Sequence, residues 1–322
     1  MIKILRPIVY LLLAALVVVG GLELYFSLTD DFRLANISYK LPFKAPWKSE
    51  KLSTEDAKAL DALLKQKFSY IGKGAQCYAF GSEDGNYVLK FFKFKHLKPN
   101  WLMQLMPNSA GKEAYLREKE RKLRLVFDAY DLAYREDRQN VGLLYLHLTP
   151  MEGFTQHATV LDKMGFERDI DLNSTVFLIQ KRGVTLRARL GELLKQNQVV
   201  QAQEAIDQIL SMYIDEYQRG IYDRDHGVMV NAGFVGSQPF HLDAGKFAKV
   251  DAIQSPAIYA DDLELILWKI KEWVGETYPH YKSDLSHFME ERYQQLTGRH
   301  YAGVKINENY IRARRHLPIL NP

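Results

Sequence analysis

The chain has 322 residues, 47% of them apolar and 25% charged, which is enough hydrophobic material for a large core and lies outside the compositions of disordered chains and coiled coils. A formal charge of +4 with no broad basic bias points away from nucleic acid, and the late cluster Arg312, Arg314, Arg315 and His316 reads as a solvated tail. Cys77 is the sole cysteine, so no intramolecular disulfide forms and the fold does not depend on an oxidising compartment.

Residues 7–22 are apolar without a charge, and the apolar run resumes after Glu23 through Phe26, a length that nearly spans a bilayer core. Lys3 and Arg6 precede it while Glu23, Asp30 and Asp31 follow. By the positive-inside rule the amino terminus then faces the cytoplasm and the main domain lies across the membrane. An uncleaved single-pass anchor is preferred to a cleaved signal peptide. Val19 and Gly21 make a poor small-residue site, and apolar residues continue past the cut. Residues 28–50, with Pro42 and Pro46, suit a linker or a strap along the domain surface. Ser53 opens a helix with Asp56 at the capping-box position and an apolar stripe of Ala57, Leu60, Leu63, Leu64 and Phe68.

Residues 70–93 read as two or three strands, with glycines at Gly72 and Gly74, a turn at Asp84-Gly85-Asn86, and a lysine, Lys90, inside an apolar strand. Residues 111–134 switch to helical spacing, with Leu116, Leu123, Phe127, Tyr130 and Tyr134 on one face and Glu120 among them. Residues 141–148, 159–162, 166–172 and 176–180 read as further strands, with a hairpin turn at Lys163-Met164-Gly165. Beyond Gly183 the pattern is helical: a long helix carries Ala202, Ala205, Ile209, Tyr213 and Tyr217, another covers 262–274, and one more starts at Ser283. The chain is therefore α+β. Its expected segments are a membrane anchor at 1–28, a linker at 29–52, a first lobe at 53–183 and a second lobe at 184–322.

Three segments far apart in sequence hold the parts that phosphoryl transfer needs: a backbone phosphate cradle, a cation, a base and two hard oxygen ligands. They are the glycine hairpin with Lys90, Asp225 with Asn231, and Asp243 in His241-Leu242-Asp243-Ala244-Gly245. In this order they resemble the protein kinase-like superfamily, over most of the chain from Tyr70 to the helix after Asp262. That resemblance implies a bilobal fold, with an antiparallel N-lobe sheet plus a helix and a mainly helical C-lobe. It also implies ATP and Mg2+ as cofactors. Gly72-Lys73-Gly74 is similar to the glycine-rich loop over the phosphates, although in isolation an ordinary hairpin turn is the preferred reading. Lys90 resembles the lysine that pairs phosphates with a helix glutamate. Glu120 is the chosen partner and Glu113 its rival, and the other reading has Lys90 extended along a surface with its charge in water.

Asp223-Arg224-Asp225 stands where kinases have His-Arg-Asp, which makes Asp225 the base, Asn231 a magnesium ligand and Asp243 the second one. Asn231 follows Asp225 by six residues where the family usually has five, so an insertion or changed metal geometry is assumed. An alternative registration on Asp223-Arg224 leaves Val228 at the metal position, and a third reading is a charged surface turn. Gln180 to Arg182 would meet adenine through backbone groups, so that their side chains carry little information. His147 and His157 read as core or surface residues, because no zinc spacing, serine elbow or cysteine signature occurs.

No Ala-Pro-Glu segment follows Asp243, and the short stretch before the next helix looks more like aminoglycoside or lipid phosphotransferases. The resemblance thus implies a membrane-anchored ATP- and Mg2+-dependent phosphotransferase acting on a protein or small-molecule acceptor. The alternative from another class is a pseudokinase serving as a nucleotide- or protein-binding scaffold at a membrane. A blander reading is a tethered domain that shares the motifs alone.

Overall fold

A computed structural model describes residues 2–41, 45–47, 52–95 and 97–303, and for residues 2–9, Trp101 and Gln104 the backbone alone. The cluster Arg312, Arg314, Arg315 and His316, Pro42 and the side chains of Lys3 and Arg6 lie outside the described residues. In chain order the elements are α1 (Ile2–Leu28), α2 (Leu34–Ile37), α3 (Thr54–Leu64), β1 (Lys67–Lys73), β2 (Cys77–Ser82), β3 (Tyr87–Phe92), α4 (Trp101–Leu105), α5 (Ala110–Glu136), α6 (Arg138–Val141) and β4 (Leu143–His147). There follow β5 (His157–Leu161), β6 (Glu167–Asp171), β7 (Phe177–Lys181), β8 (Val184–Thr185), α7 (Leu186–Lys195), α8 (Val199–Gln218), β9 (Ile221–Asp223), α9 (Val228–Asn231), β10 (Ala232–Val235), β11 (Gln238–His241), β12 (Phe247–Lys249), α10 (Pro256–Thr277) and α11 (Lys282–Thr297). The protein is α+β, and its internal contacts divide it into two units: Met1–Lys112 with His147–Ile179, and Glu113–Leu146 with Gln180–Pro322.

In the first unit, α1 contains a 19-residue stretch, Tyr10–Leu28, of mean hydropathy 2.2 with none of it buried. At about 1.5 Å per residue it is long enough to cross a hydrocarbon core, a test that a signal sequence also passes. The chain then turns at Asp30 and Asp31, whose positive φ angles of 53° and 62° suit the short polar side chains that tolerate the left-handed region. Asp30 receives Tyr70 Oη at 2.9 Å, Lys73 Nζ at 3.0 Å and Lys163 Nζ at 3.2 Å. Burial, the largest influence, opposes its charge, yet these bonds outweigh burial and hold the carboxyl down at about 2. Asp31 pairs with Arg33 and Lys95, each at 2.6 Å.

Of the two expectations for this segment, the described residues show a strap that buries Phe32, Ile37 and Trp47 and leaves Leu34 exposed. Phe32 is 1% exposed and packs at ring distances of 5.2 Å on Tyr78 and 4.9 Å on Phe80, while the Asp31 and Asn36 carbonyls accept from Tyr78 Oη and Phe94 N, both at 2.8 Å. The strap therefore completes the core of the sheet on which it lies.

That seven-stranded sheet has the order β4-β7-β3-β2-β1-β5-β6. β1, β2 and β3 pair antiparallel, with Gly72 opposite Ala79 and Ala79 opposite Lys90, and a bulge interrupts β1 between Tyr70 and Gly72. One pairing corrects the antiparallel expectation: β1 runs parallel to β5, so the sheet is mixed. The cause is connectivity, since the β5–β6 hairpin reaches the β1 edge by a long crossover instead of a tight turn. Phe68 also departs from its expected place. α3, capped by Ser53 on Asp56 N at 3.1 Å, ends at Leu64, and Phe68 enters the core from β1 instead.

The second unit is built on helices. Leu190, Ile206, Ile209, Leu210, Ile266, Leu267 and Leu285 from α7, α8, α10 and α11 are fully buried in one core. Against it lie the β10–β11 hairpin, with β8 added at its edge, and the β9–β12 pair. Glycine is required at this edge, because a Cβ on Gly233 would stand 1.9 Å from the Val184 carbonyl oxygen. Gln180 corrects the expectation that its side chain carries little information: buried, its Nε2 donates to the carbonyls of Val141 at 2.6 Å and His241 at 2.8 Å.

Replacing Phe32 by Ala should destabilise the full-length chain by about 3–5 kcal/mol, the usual range for emptying a buried aromatic site. Denaturant unfolding in micelles, followed by the fluorescence of the first unit, measures it; a loss below about 1 kcal/mol would show that the strap is dispensable.

Candidate functional site

The second unit gathers three of the expected residues through a closed circuit of bonds. β9 and β12 pair antiparallel with Asp223 opposite Phe247, and beyond the pair Arg224 N donates to Lys246 O at 3.3 Å. The chain then makes one helical turn, α9, in which Asn231 N donates to Gly227 O at 2.8 Å. This turn takes up the extra residue between Asp225 and Asn231, and Asn231 Nδ2 donates back to Asp225 Oδ2 at 3.1 Å. Gly227 permits that approach, since a Cβ there would stand 2.6 Å from Asn231 Nδ2.

The β10–β11 hairpin follows at once, with Ala232 opposite His241, and Leu242 N donates to Asn231 O at 2.6 Å. Asp243 thus emerges beside Asn231 at the open end of the hairpin, as the sequence reading expected. Its Oδ1 accepts from Gly245 N and from Tyr130 Oη on α5, both at 2.9 Å. Lys246 closes the circuit with Nζ 3.0 Å from Asp225 Oδ1.

Beneath this rim the loop is anchored on α10. Asp262, 1% exposed, accepts from Tyr217 Oη at 2.5 Å and Tyr222 Oη at 3.2 Å and lies 2.6 Å from His226 Nε2. Lys269 Nζ holds the His226 carbonyl at 2.5 Å, and His226 itself sits at φ 53°. Burial, the largest influence, works against charge on this imidazole, but the Asp262 carboxylate beside it leaves its pKa raised. Asp223, also buried, accepts from Asp225 N at 2.8 Å through Oδ1. Burial pushes its carboxyl up.

A second buried network lies under β11. His241 Nε2 is 3.0 Å from Glu216, the Glu216 carboxyl neighbours that of Asp137, and Arg219 reaches Asp137 and Asp215, each at 2.6 Å. Burial and then the neighbouring Glu216 push Asp137 up to about 8, against the pull of Arg219. Burial likewise keeps His241 below its usual value.

The remaining expected residues are placed as follows. Gly72 lies in β1 and Gly74 in the β1–β2 turn, where Gly74 N donates to Cys77 O at 2.9 Å and Gly74 O accepts Lys93 Nζ at 2.8 Å. A Cβ on Gly72 would meet nothing within 4 Å, so the chain's own packing does not demand glycine there. Lys90 is half-buried in the middle of β3 in the first unit, whereas Glu120 belongs to the second. The Glu120 carboxylate takes Arg124 at 2.7 Å with 39% exposure, and Glu113 takes Arg117 at 3.4 Å. His147 is buried and stacks on both Phe154 and Phe177, which also stack on each other; His157 is exposed and 2.9 Å from Asp169.

Tyr130, Lys246 and Asp262 were not singled out from sequence. Tyr130 was legible only as one member of an apolar stripe, Lys246 as a lysine three residues after Asp243, and Asp262 as a helix start. Asn231 Oδ1 and Asp243 Oδ2 accept no hydrogen bond among the described residues, and two amide and carboxylate oxygens suit a hard cation that completes its shell elsewhere. No group of three or more His, Cys, Asp or Glu side chains that could hold a metal by themselves occurs among the described residues.

No protein-family model and no curated protein sequence matches the chain. Solved structures of WbdD, described as a bifunctional kinase-methyltransferase, do match. One aligns at 11% identity and TM-score 0.33 over 75% of this chain and 48% of that one, and a crystal structure of monomeric WbdD at 15% and 0.29 over 67% and 45%. The chain spans about half the length of these proteins. Similarity at this level leaves the chemistry to be read from the residues themselves.

Asp137 generates a pH dependence. An acid whose folded value is raised keeps its proton in the fold where the unfolded chain has lost it. Its contribution to stability is therefore complete below pH 3.8 and is lost as pH rises towards about 8. Asp137→Asn should flatten the fall in stability across this window, as read from urea midpoints at successive pH values. An unchanged slope would show that Asp137 does not hold its proton in the fold.

Proposed function

We propose that the chain is a membrane-anchored, ATP- and Mg2+-dependent phosphotransferase of the kinase-like kind, with its acceptor left open. The observation that carries this reading is the closed circuit that sets Asp225, Asn231 and Asp243 together on one rim of the second unit. Asn231 Oδ1 and Asp243 Oδ2 would hold magnesium, and Asp225 would accept the proton of the attacking hydroxyl. Bound ATP and Mg2+ would supply the phosphoryl group and neutralise its charge. The protein's own part is then to orient the base through Asp223 and Asn231 and to fix Asp243 through Tyr130 and Gly245 N. Lys90 and the turn at Gly72 and Gly74 are assigned to the nucleotide phosphates on their residue types and order. α1 is read as the anchor, with the amino terminus on the cytoplasmic side by charge bias.

A second reading, a nucleotide-binding or protein-binding scaffold at a membrane, is favoured by one observation. Both oxygens of Asp225 are engaged, by Lys246 and by the amide of Asn231, so the base is covered as it stands.

The full-length chain in detergent micelles should show an ATP-induced thermal shift that needs Mg2+, together with ATP turnover. Asp243→Ala should remove the Mg2+-dependent part of the shift. Asp225→Ala should keep the shift and lose turnover by about 100-fold or more. No shift in the wild type, or an identical one in Asp243→Ala, would sink the proposal; turnover untouched by Asp225→Ala would favour the scaffold.

A further inference from the structure

We infer that Lys246 and Arg224 form a phosphate-binding cation pair beside Asp225. The inference rests on the phosphotransferase reading for its setting, and on three observations about these two residues for its content.

The first is geometric. Arg224 grips the main chain of Lys246 twice, with N on Lys246 O at 3.3 Å and Nε on the same oxygen at 3.2 Å. The backbone of Lys246 is thereby fixed, and its long side chain swings from a set origin. The second concerns partners. The Lys246 carbonyl is the sole acceptor for the Arg224 guanidinium among the described residues, so its two terminal NH2 groups face no carboxylate. Asp223 attracts this half-buried guanidinium only through space, with no hydrogen bond between them, and the planar fork left open suits phosphate oxygens. Burial, the largest influence, lowers the pKa of Arg224 against the pull of Tyr222 and Asp223, and the like charge of Arg121 adds to the lowering. Arg121 itself is satisfied by Glu118 at 2.8 Å and 3.0 Å.

The third is the state of Lys246. Its side chain is 45% exposed and rests on Asp225, which is 27% exposed, in an ion pair of 3.0 Å. Such a partly exposed pair is weak and breaks readily for a more highly charged partner. The five residues between Asp225 and Asn231 include no Lys or Arg, so along the chain the cations that flank the base are Arg224 and Lys246. Transfer of Lys246 from Asp225 to an incoming phosphate would neutralise the anion and uncover a carboxylate oxygen of Asp225 in one movement. The covered base then becomes a resting state that the anion itself relieves.

The phosphate has two sources, the terminal group of the nucleotide or an acidic group on the acceptor. Calorimetric titration of the full-length protein in micelles with Mg-ATP, Mg-ADP and inorganic phosphate, for wild type, Lys246→Met, Lys246→Arg and Arg224→Gln, separates them. If the nucleotide is the source, Lys246→Met and Arg224→Gln lose about tenfold or more in ATP affinity, keep ADP affinity, and Lys246→Arg restores part of the difference. If the acceptor is the source, the ATP-to-ADP ratio stays and the affinity for inorganic phosphate falls by a similar factor. The inference is overturned if neither quantity moves in folded variants, or if ATP and ADP weaken together. A wild type that binds no nucleotide would overturn the phosphotransferase reading, while phosphate titration of that same protein would still decide the cation pair.

Discussion

One buried carboxylate holds the second unit's site in place. Asp262 lies inside α10 among Leu263, Ile266 and Leu267, where an ionised group without partners would be prohibitive. It is tolerated because three donors converge on it: Tyr217 from α8, Tyr222 from β9, and His226 from the loop that carries Asp225. Once that desolvation is met, the loop has little freedom. His226 is pinned by its ring to Asp262 and by its carbonyl to Lys269, which fixes the left-handed turn immediately after Asp225. The position of Asp225 follows from a helix packed by hydrophobic burial, not from the loop's own preferences.

On that foundation the rim is assembled by register. The β10–β11 hairpin makes the separation between Asn231 and Asp243 a matter of strand pairing, because residues flanking a hairpin meet whatever lies between them. The β9–β12 pair does the same for Asp223 and Phe247, and so for Arg224 and Lys246 just beyond. Chemistry confined to the ends of short paired strands is rigid where distances matter. Lys246 alone combines a fixed backbone with a mobile charged end, and that contrast is why it, rather than Asn231 or Asp243, is the group able to exchange partners.

How much of this was legible in the sequence depends on the range of the interaction. The three-stranded run around Lys90, the long helix carrying Tyr130, the hairpin from Ala232 to His241 and the proximity of Asn231 to Asp243 are local, and period and turn chemistry expose them. The parallel pairing of β1 with β5, the burial of Phe32 and the convergence on Asp262 are long-range, and a linear pattern carries no trace of them. Phe68 shows the boundary case. Its spacing continues the stripe of α3, yet the chain leaves the helix after Leu64 and delivers the same side chain to the core from a strand. Gln180 failed for another reason: a residue judged by what its backbone could do proved to be committed through its side chain.

Charge at the end of α1 has one sign along the chain and another in space. Along the chain Glu23, Asp30 and Asp31 follow the apolar run, and if α1 is an anchor that order favours a cytoplasmic amino terminus with the remainder across the membrane. In the fold, Asp30 and Asp31 are met by four cations, Lys73, Lys163, Arg33 and Lys95. If orientation is set during insertion, before Lys73 and Lys163 reach Asp30, the linear order governs it. The phosphotransferase reading pulls the other way, because a nucleotide site across the membrane from the cytoplasm lacks a ready supply of ATP. An opposite orientation would have to override Lys3 and Arg6. The folded collar of cations has the sign to do so if the first unit forms before the span is fixed, whereas the scaffold reading places no such demand on the order of folding and insertion.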